Sequence, residues 1–184
     1  MKLLLHCCCA PCSAPILEWL LQNGHKPVLF FYNPNIHPVE EYEKRKRELT
    51  GYAERLGIEV IDADYNHNGW LECVNGHEGD KERGTRCSIC FYERLRRTAQ
   101  EAAERGFDTI ATTLASSRWK NIEQINEAGM KAVEPYPTVS FWDRNWRKGG
   151  LQQRRSELLK ENGFYNQTYC GCEFSIRVEN ETGL

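Results

Sequence analysis

Apolar positions run along the chain in two alternating rhythms. Residues 2–6 hold the unbroken run Leu3-Leu4-Leu5, the pattern of a short strand buried on both faces. Ile16, Leu17, Leu20 and Leu21 then repeat at helical spacing across 13–23, and Gly24 closes the helix. A second apolar run, 27–32, leads into the turn-rich Asn33-Pro34-Asn35-Ile36-His37-Pro38. The stretch 39–56 predicts a long charged amphipathic helix ended by Gly57, and 58–63 predicts a third strand. Residues 66–85 are polar and glycine-rich, with no clear period. Helical spacing returns over 87–105, where Leu95, Ala99, Ala102 and Ala103 share one side, and 108–114 predicts a fourth strand. A polar loop (115–121), a helix (122–129), a short strand (133–137) and a last helix (151–162) complete the pattern.

Strands alternating with helices imply a Rossmann-like α/β fold, a parallel sheet with helical crossovers. The whole of 1–184 reads as one domain, with a cysteine-bearing tail from about residue 165 that folds back on the site. In such sheets ligands bind beyond the carboxyl ends of the strands, often at helix N-termini.

Composition narrows the class. The 184 residues are 40% hydrophobic and 27% charged, with a formal net charge of -2, as in an ordinary globular protein. That balance does not advertise a nucleic-acid binder, although local patches matter more than the sum. No apolar run approaches the roughly 20 residues of a membrane span. The opening Met1-Lys2-Leu3-Leu4-Leu5 is too short for a signal-peptide core, which points to the cytosol.

Nine cysteines alter that ordinary picture. Cys73 stands alone and reads as a small buried apolar residue. Cys7, Cys8, Cys9 and Cys12 join the first strand to the first helix, Cys87 and Cys90 open a helix, and Cys170 and Cys172 lie in the tail. Cys9-Ala10-Pro11-Cys12 alone looks like a thioredoxin-type redox pair at a helix start. Cys87-x-x-Cys90 with Cys170-x-Cys172 would suit a four-thiolate zinc site. Without Cys7, the seven thiolates of Cys8, Cys9, Cys12, Cys87, Cys90, Cys170 and Cys172 exceed one tetrahedral ion. They fit an iron–sulfur cluster, which takes four, plus a second centre.

The chain resembles the QueH-type, cobalamin-independent epoxyqueuosine reductases. The resemblance rests on His6-x-Cys8-Cys9-Ala10-Pro11-Cys12, Phe31-Tyr32-Asn33-Pro34-Asn35-Ile36-His37-Pro38, Arg86-Cys87-x-x-Cys90, Thr112-Thr113-Leu114 and Tyr169-Cys170-Gly171-Cys172-x-Phe174-Ser175, in that order along nearly the whole chain. It implies a nucleotide-hydrolase-like (HUP-type) sheet with the metal site at its carboxyl edge. The implied reaction is reduction of epoxyqueuosine to queuosine in the wobble position of a tRNA anticodon, the last step of queuosine biosynthesis. The implied cofactors are a [4Fe-4S] cluster and a neighbouring mononuclear iron. On that basis Cys8, Cys87, Cys90 and Cys170 are assigned to the cluster, and Cys9, Cys12 and Cys172 to the second metal; paired positions can exchange. Cys7 occupies a variable position and receives no ligand role.

For substrate, residues 141–160 mix Arg144, Arg147, Lys148, Arg154, Arg155 and Lys160 with Trp142 and Trp146, a pattern that suits a single-stranded anticodon loop or, equally, a solvated helix face over core tryptophans. Arg94, Arg96 and Arg97 form a second basic cluster. Ser116, Ser117, Arg118, Lys120 and Asn121 follow the fourth strand, and Asn33, Asn35 and His37 follow the second, where turn chemistry is the alternative. His6, Asp143 and Tyr169 are candidate proton donors. The electron donor is unspecified. Two other functions compete: a disulfide oxidoreductase using Cys9 and Cys12, and a zinc-stabilised RNA-binding module without catalysis.

Overall fold

The structure, a computed structural model, describes residues 1–176. The predicted tail positions 177–184 lie outside the described residues. Five parallel strands form one sheet: β1 (Leu3–His6), β2 (Val28–Phe31), β3 (Val60–Asp62), β4 (Thr109–Thr112) and β5 (Ser140–Phe141). Their order is β3-β2-β1-β4-β5. β1 is central, pairing Leu5 with Leu29 of β2 and with Ala111 of β4. All four β1 residues and all four β4 residues are buried. Full burial on both faces explains why β1 is an apolar run rather than an alternation.

Helices cover the sheet. α1 (Ala10–Gln22) packs against α2 (Val39–Arg55) and against α6 (Leu151–Glu161). α4 (Thr85–Arg105) packs along α5 (Ile122–Val133) and touches α3 (His67–Cys73). Gly129 allows the close approach of α5 to β5, since a Cβ there would lie 2.4 Å from the Phe141 ring. The chain winds outward from β1 through β2 and β3, then restarts at β4 on the other side of β1. That reversal creates a crevice between the ends of β1 and β4, the binding place of open α/β sheets. Among the described residues, no helix is long and apolar enough to cross a membrane.

Several expectations are corrected. α1 begins at Ala10 rather than residue 13, which puts Cys12 in its first turn. The predicted strand at 133–137 does not form: α5 runs through Val133, and Pro135 and Pro137 lack the N–H that a ladder needs. The fifth strand is the short Ser140–Phe141 instead. α3 forms in the segment without a period because Asn66 Oδ1 caps it, accepting from Gly69 N at 3.0 Å, and buried Trp70 anchors it. Cys73, expected to be buried, is exposed at the end of α3.

His6 closes β1 and is fully buried. Its Nε2 lies 3.1 Å from the Tyr32 carbonyl, which can only accept, so Nε2 carries the hydrogen. Nδ1 therefore accepts from Thr112 Oγ1 at 2.9 Å, and that hydroxyl accepts in turn from Leu114 N at 3.1 Å. The chain of bonds fixes a neutral imidazole that ties β1 to the ends of β2 and β4. Burial first, then the positive charge of Arg94, pushes the pKa down to about 3. The unfolded chain binds a proton near pH 6.5 that the folded chain refuses. The His6 contribution is thus complete above pH 6.5 and is lost as pH falls toward 3. Between pH 6.5 and 5 the loss is about 2 kcal/mol. Denaturant unfolding at both pH values is expected to show that loss in the wild type relative to His6→Gln; equal slopes would contradict it.

Candidate active site

Three separate segments bring thiols to the crevice. In the first, the chain leaves β1, Cys7 N bonds to Phe30 O, and Cys9 takes an extended conformation as the N-cap of α1. Cys8, Cys9 and Cys12 then gather, their sulfurs all within 4.8 Å of one another. In the second, Cys87 and Cys90 stand three apart in the first turns of α4. The third is the tail, with Cys170 and Cys172. Cys90 and Cys172 pack with Trp70 and Val74, and Cys170 lies against them. Six of the thiols (Cys8, Cys12, Cys87, Cys90, Cys170 and Cys172) line one cavity of about 430 Å³. Cys9 is buried behind it, with Gln167 Nε2 2.9 Å from its sulfur. Cys7 faces away: its thiol donates to Leu5 O, and burial pushes its pKa well up.

The tail is held by the loop after β2 and by α2. Arg45, buried at 1% exposure, donates from Nη1 to Cys170 O and from Nη2 to Tyr169 O, both at 3.1 Å. Its Nε bonds to Glu41 at 2.7 Å. His37 N donates to Gly171 O at 2.8 Å, and the Tyr169 hydroxyl donates to His37 O. His67 Nδ1 meets Pro34 O at 2.7 Å, and its Nε2 meets Glu173 Oε1 at 2.8 Å. Gly171 adopts φ +108, and a Cβ there would lie 2.8 Å from Ile36 Cγ1 and 3.2 Å from Arg45 Nη1. Only glycine fits between the two tail cysteines.

Electrostatics divides the thiols into two groups. Cys8 is held well below the ordinary thiol value by hydrogen bonds from Cys12 and Cys9, with Arg94 and Lys120 assisting. Cys170 is lowered likewise, chiefly by Cys172, with Lys120 again nearby. Cys9 is raised through its Cys12 and Cys8 partners, Cys172 through Cys170, and Cys87 and Cys90 by burial. Each group thus favours one thiolate sharing its neighbours' protons. The start of α1 adds positive potential near Cys12, and the Cys87 sulfur accepts from Arg83 N at 3.3 Å just ahead of α4. Two further donors fit bound anionic sulfur. Trp70 Nε1 and Arg94 Nε are buried at the cavity beside Cys90, and among the described residues neither makes a well-formed hydrogen bond. Soft thiolates with buried N–H donors suit an iron–sulfur cluster and a metal ion, and offer little to hard oxygen-seeking cations.

The other candidate residues separate into contacts and supports. Asn35 lines the cavity at 1% exposure, and its Oδ1 has no partner among the described residues. Ser117, Arg118 and Lys120 also line it, as do Arg155 and Tyr169. Asn33 does not: it bridges Cys7 O (2.9 Å) and Arg94 Nη2 (2.5 Å), locking the cysteine turn to α4. Asn121 caps α5 through Glu123 N. His37 stacks on His67 outside the cavity. Trp146 is fully buried against Trp19 and Trp142, with Arg144 over the Trp19 ring at 3.8 Å, so neither is a free RNA contact. Arg96 and Arg97 pair with Glu93 and Glu101, and Arg154 pairs with Glu18, Glu157 and Glu161. Carboxylates therefore neutralise three of the expected cations, Arg96, Arg97 and Arg154.

The candidate proton donors fare no better. His6 is neutral and enclosed, and Asp143 is exposed outside the cavity lining. Tyr169 spends its hydroxyl on His37 O, and burial pushes its pKa up to about 12. Residues missed from sequence are Arg45, Trp70, Gln167 and Trp119, all at the cavity. Only the conspicuous Trp119, between Arg118 and Lys120, carried a local signal.

The family model described as Epoxyqueuosine reductase QueH matches residues 3–178. A protein of Acinetobacter baylyi named Epoxyqueuosine reductase QueH is 49% identical over 97% of this chain and 82% of its own length. One of Histophilus somni with the same name is 48% identical, over 98% of this chain and 74% of its own. Among solved structures, a chain titled "predicted subunit of tRNA methyltransferase" from Methanocaldococcus jannaschii superposes with a TM-score of 0.56 at 14% identity. It covers 90% of this chain and 93% of its own, which speaks to the fold alone. With a thiol-lined cavity at the sheet's reversal point and this similarity over almost its full length, the chain belongs to the epoxyqueuosine reductase QueH family.

Proposed function

We propose that this cavity reduces epoxyqueuosine to queuosine in the wobble position of a tRNA anticodon, in the cytoplasm. The observation that carries the reading is six thiols from three distant segments lining one cavity in a chain of this family. The reaction consumes two electrons and two protons, turns the epoxide into an alkene and releases water; an external donor of electrons completes the balance. A [4Fe-4S] cluster supplies single electrons when bound, and an adjacent iron supplies a Lewis acid. Cys87, Cys90 and Cys170 would hold the cluster with either Cys8 or Cys172. The remaining one joins Cys9 and Cys12 on the second ion. The grouping of side chains supports Cys172 as the fourth cluster ligand, an exchange of Cys8 and Cys172 relative to the sequence-based sets.

The chain's own residues then bind, orient and protonate. Asn35 Oδ1, without a partner, accepts from a hydroxyl or amine of the bound nucleoside. Lys120 lines the cavity within electrostatic reach of both Cys8 and Cys170. It is the cavity's best placed donor to an oxygen leaving there. Its backbone is fixed by Arg147 Nη2, 2.7 Å from Lys120 O.

Reconstituted protein given a reductant and epoxyqueuosine-containing tRNA is expected to release queuosine on digestion, identified by mass. Unchanged epoxyqueuosine with an intact cluster would contradict the reading. Lys120→Met is expected to slow turnover by roughly 100-fold or more with iron and sulfide content retained; turnover near the wild-type rate would remove Lys120 from the proton path. Gly171→Ala is expected to cut iron and sulfide per chain by about half or more with helical content unchanged, because strain at φ +108 and the Ile36 contact displace both tail thiols. Normal iron and sulfide in that variant would show that the tail tolerates the shift.

A further inference from the structure

Trp119 stands out once the other tryptophans are accounted for. Trp70 and Trp146 are buried, and Trp19 and Trp142 pack together with Trp146 and Arg144. Trp119 is 71% exposed, the highest value among the large hydrophobic side chains described, yet it lines the rim of the thiol cavity. The loop that carries it is held on both sides. Arg83 forks onto two of its carbonyls, Nε to Trp119 O at 2.9 Å and Nη2 to Arg118 O at 3.1 Å. Trp119 N donates to Ser117 Oγ at 3.3 Å, and Arg147 holds Lys120 O. Gln152 Nε2 donates to Ser116 O at 2.7 Å just before the loop. An indole is thus presented to solvent on a prearranged backbone, between the cations Arg118 and Lys120.

We propose that Trp119 is a stacking platform for a nucleobase next to the one that enters the cavity. This rests on the reading of the substrate as a single-stranded RNA loop. A cavity of about 430 Å³ has the size of a small-ligand site, suited to one modified nucleoside rather than two. Once that nucleoside is turned in, its neighbour loses a stacking partner and emerges at the rim, where the indole face replaces it. Arg118 beside the ring meets the linking phosphate. Stacking of this kind tolerates any base, so Trp119 supplies affinity and orientation while the cavity supplies selectivity.

The test is binding of a hairpin RNA with an unmodified guanine in its loop, which needs no turnover. Full-length wild type, Trp119→Ala and Trp119→Phe are compared by fluorescence anisotropy at several salt concentrations. Trp119→Ala is expected to weaken binding roughly 10- to 100-fold, while Trp119→Phe stays within a few-fold. The slope of affinity against salt should not change, because stacking releases no counterions. Tryptophan fluorescence should be quenched by the hairpin in wild type and much less in Trp119→Phe. Equal affinity of Trp119→Ala and wild type, equal weakening in both variants, or no wild-type binding of the hairpin would each overturn the proposal. Wild-type protein that binds the hairpin through Trp119 but leaves epoxyqueuosine unreduced would sink the proposed reaction and leave the platform standing. A Trp119-dependent gain for duplex RNA equal to that for the loop would also overturn it.

Discussion

The structure depends on confining anionic sulfur. Thiolates packed into one buried pocket repel each other, and burial penalises each charge separately. The fold offsets this in three ways. The N-terminus of α1 lies at Cys12, and Arg83 N donates to the Cys87 sulfur ahead of α4. Buried Arg45 and Arg94, together with Lys120, place cations around the sulfurs. Neighbouring thiols share protons so that Cys8 and Cys170 carry the charge within their groups. In the proposed reading, metal ions that displace the remaining protons would complete the compensation and couple metal uptake to pH.

The sheet provides the place for this arrangement. Because β2 and β4 flank β1 and the chain restarts at β4, the ends of β1 and β4 open onto one crevice. The turn after β1 supplies one thiol group, and the turn after β4 supplies Ser117, Arg118 and Lys120 opposite it. The neutral His6 imidazole and the Asn33 bridge keep the two sides in register from beneath. The tail completes the wall, carried there by Arg45, His37 and His67 on the far side of the same crevice.

Much of this was legible from sequence, for physical reasons. Buried parallel strands leave apolar runs, so β1 and β2 were read nearly to the residue, and the Thr-Ile-Ala-Thr of β4 was bounded within two residues. The cysteines were legible because thiols so crowded have few other uses. The supporting residues were not. Asn33 and Asn121 look like turn or base-contact residues until their partners 61 and 2 positions away are seen. Trp146 and Arg144 resemble an RNA surface, but in space they form a core with Trp19, which local pattern does not reveal. Arg45 looks like one more charge on an amphipathic helix, and only the returning tail, 124 and 125 positions on, explains its burial. The strand read at 133–137 gave way because two prolines outweigh apolar content.

In the proposed reading, thiols from three segments serve two metal centres in one cavity. Anomalous diffraction at the iron edge, on crystals of anaerobically reconstituted protein, tests it most directly. The expected result is a compact multi-iron peak and a separate single-iron peak, both within the cavity bounded by Cys8, Cys90 and Cys172. A single isolated ion, or iron bound only outside that cavity, would contradict it.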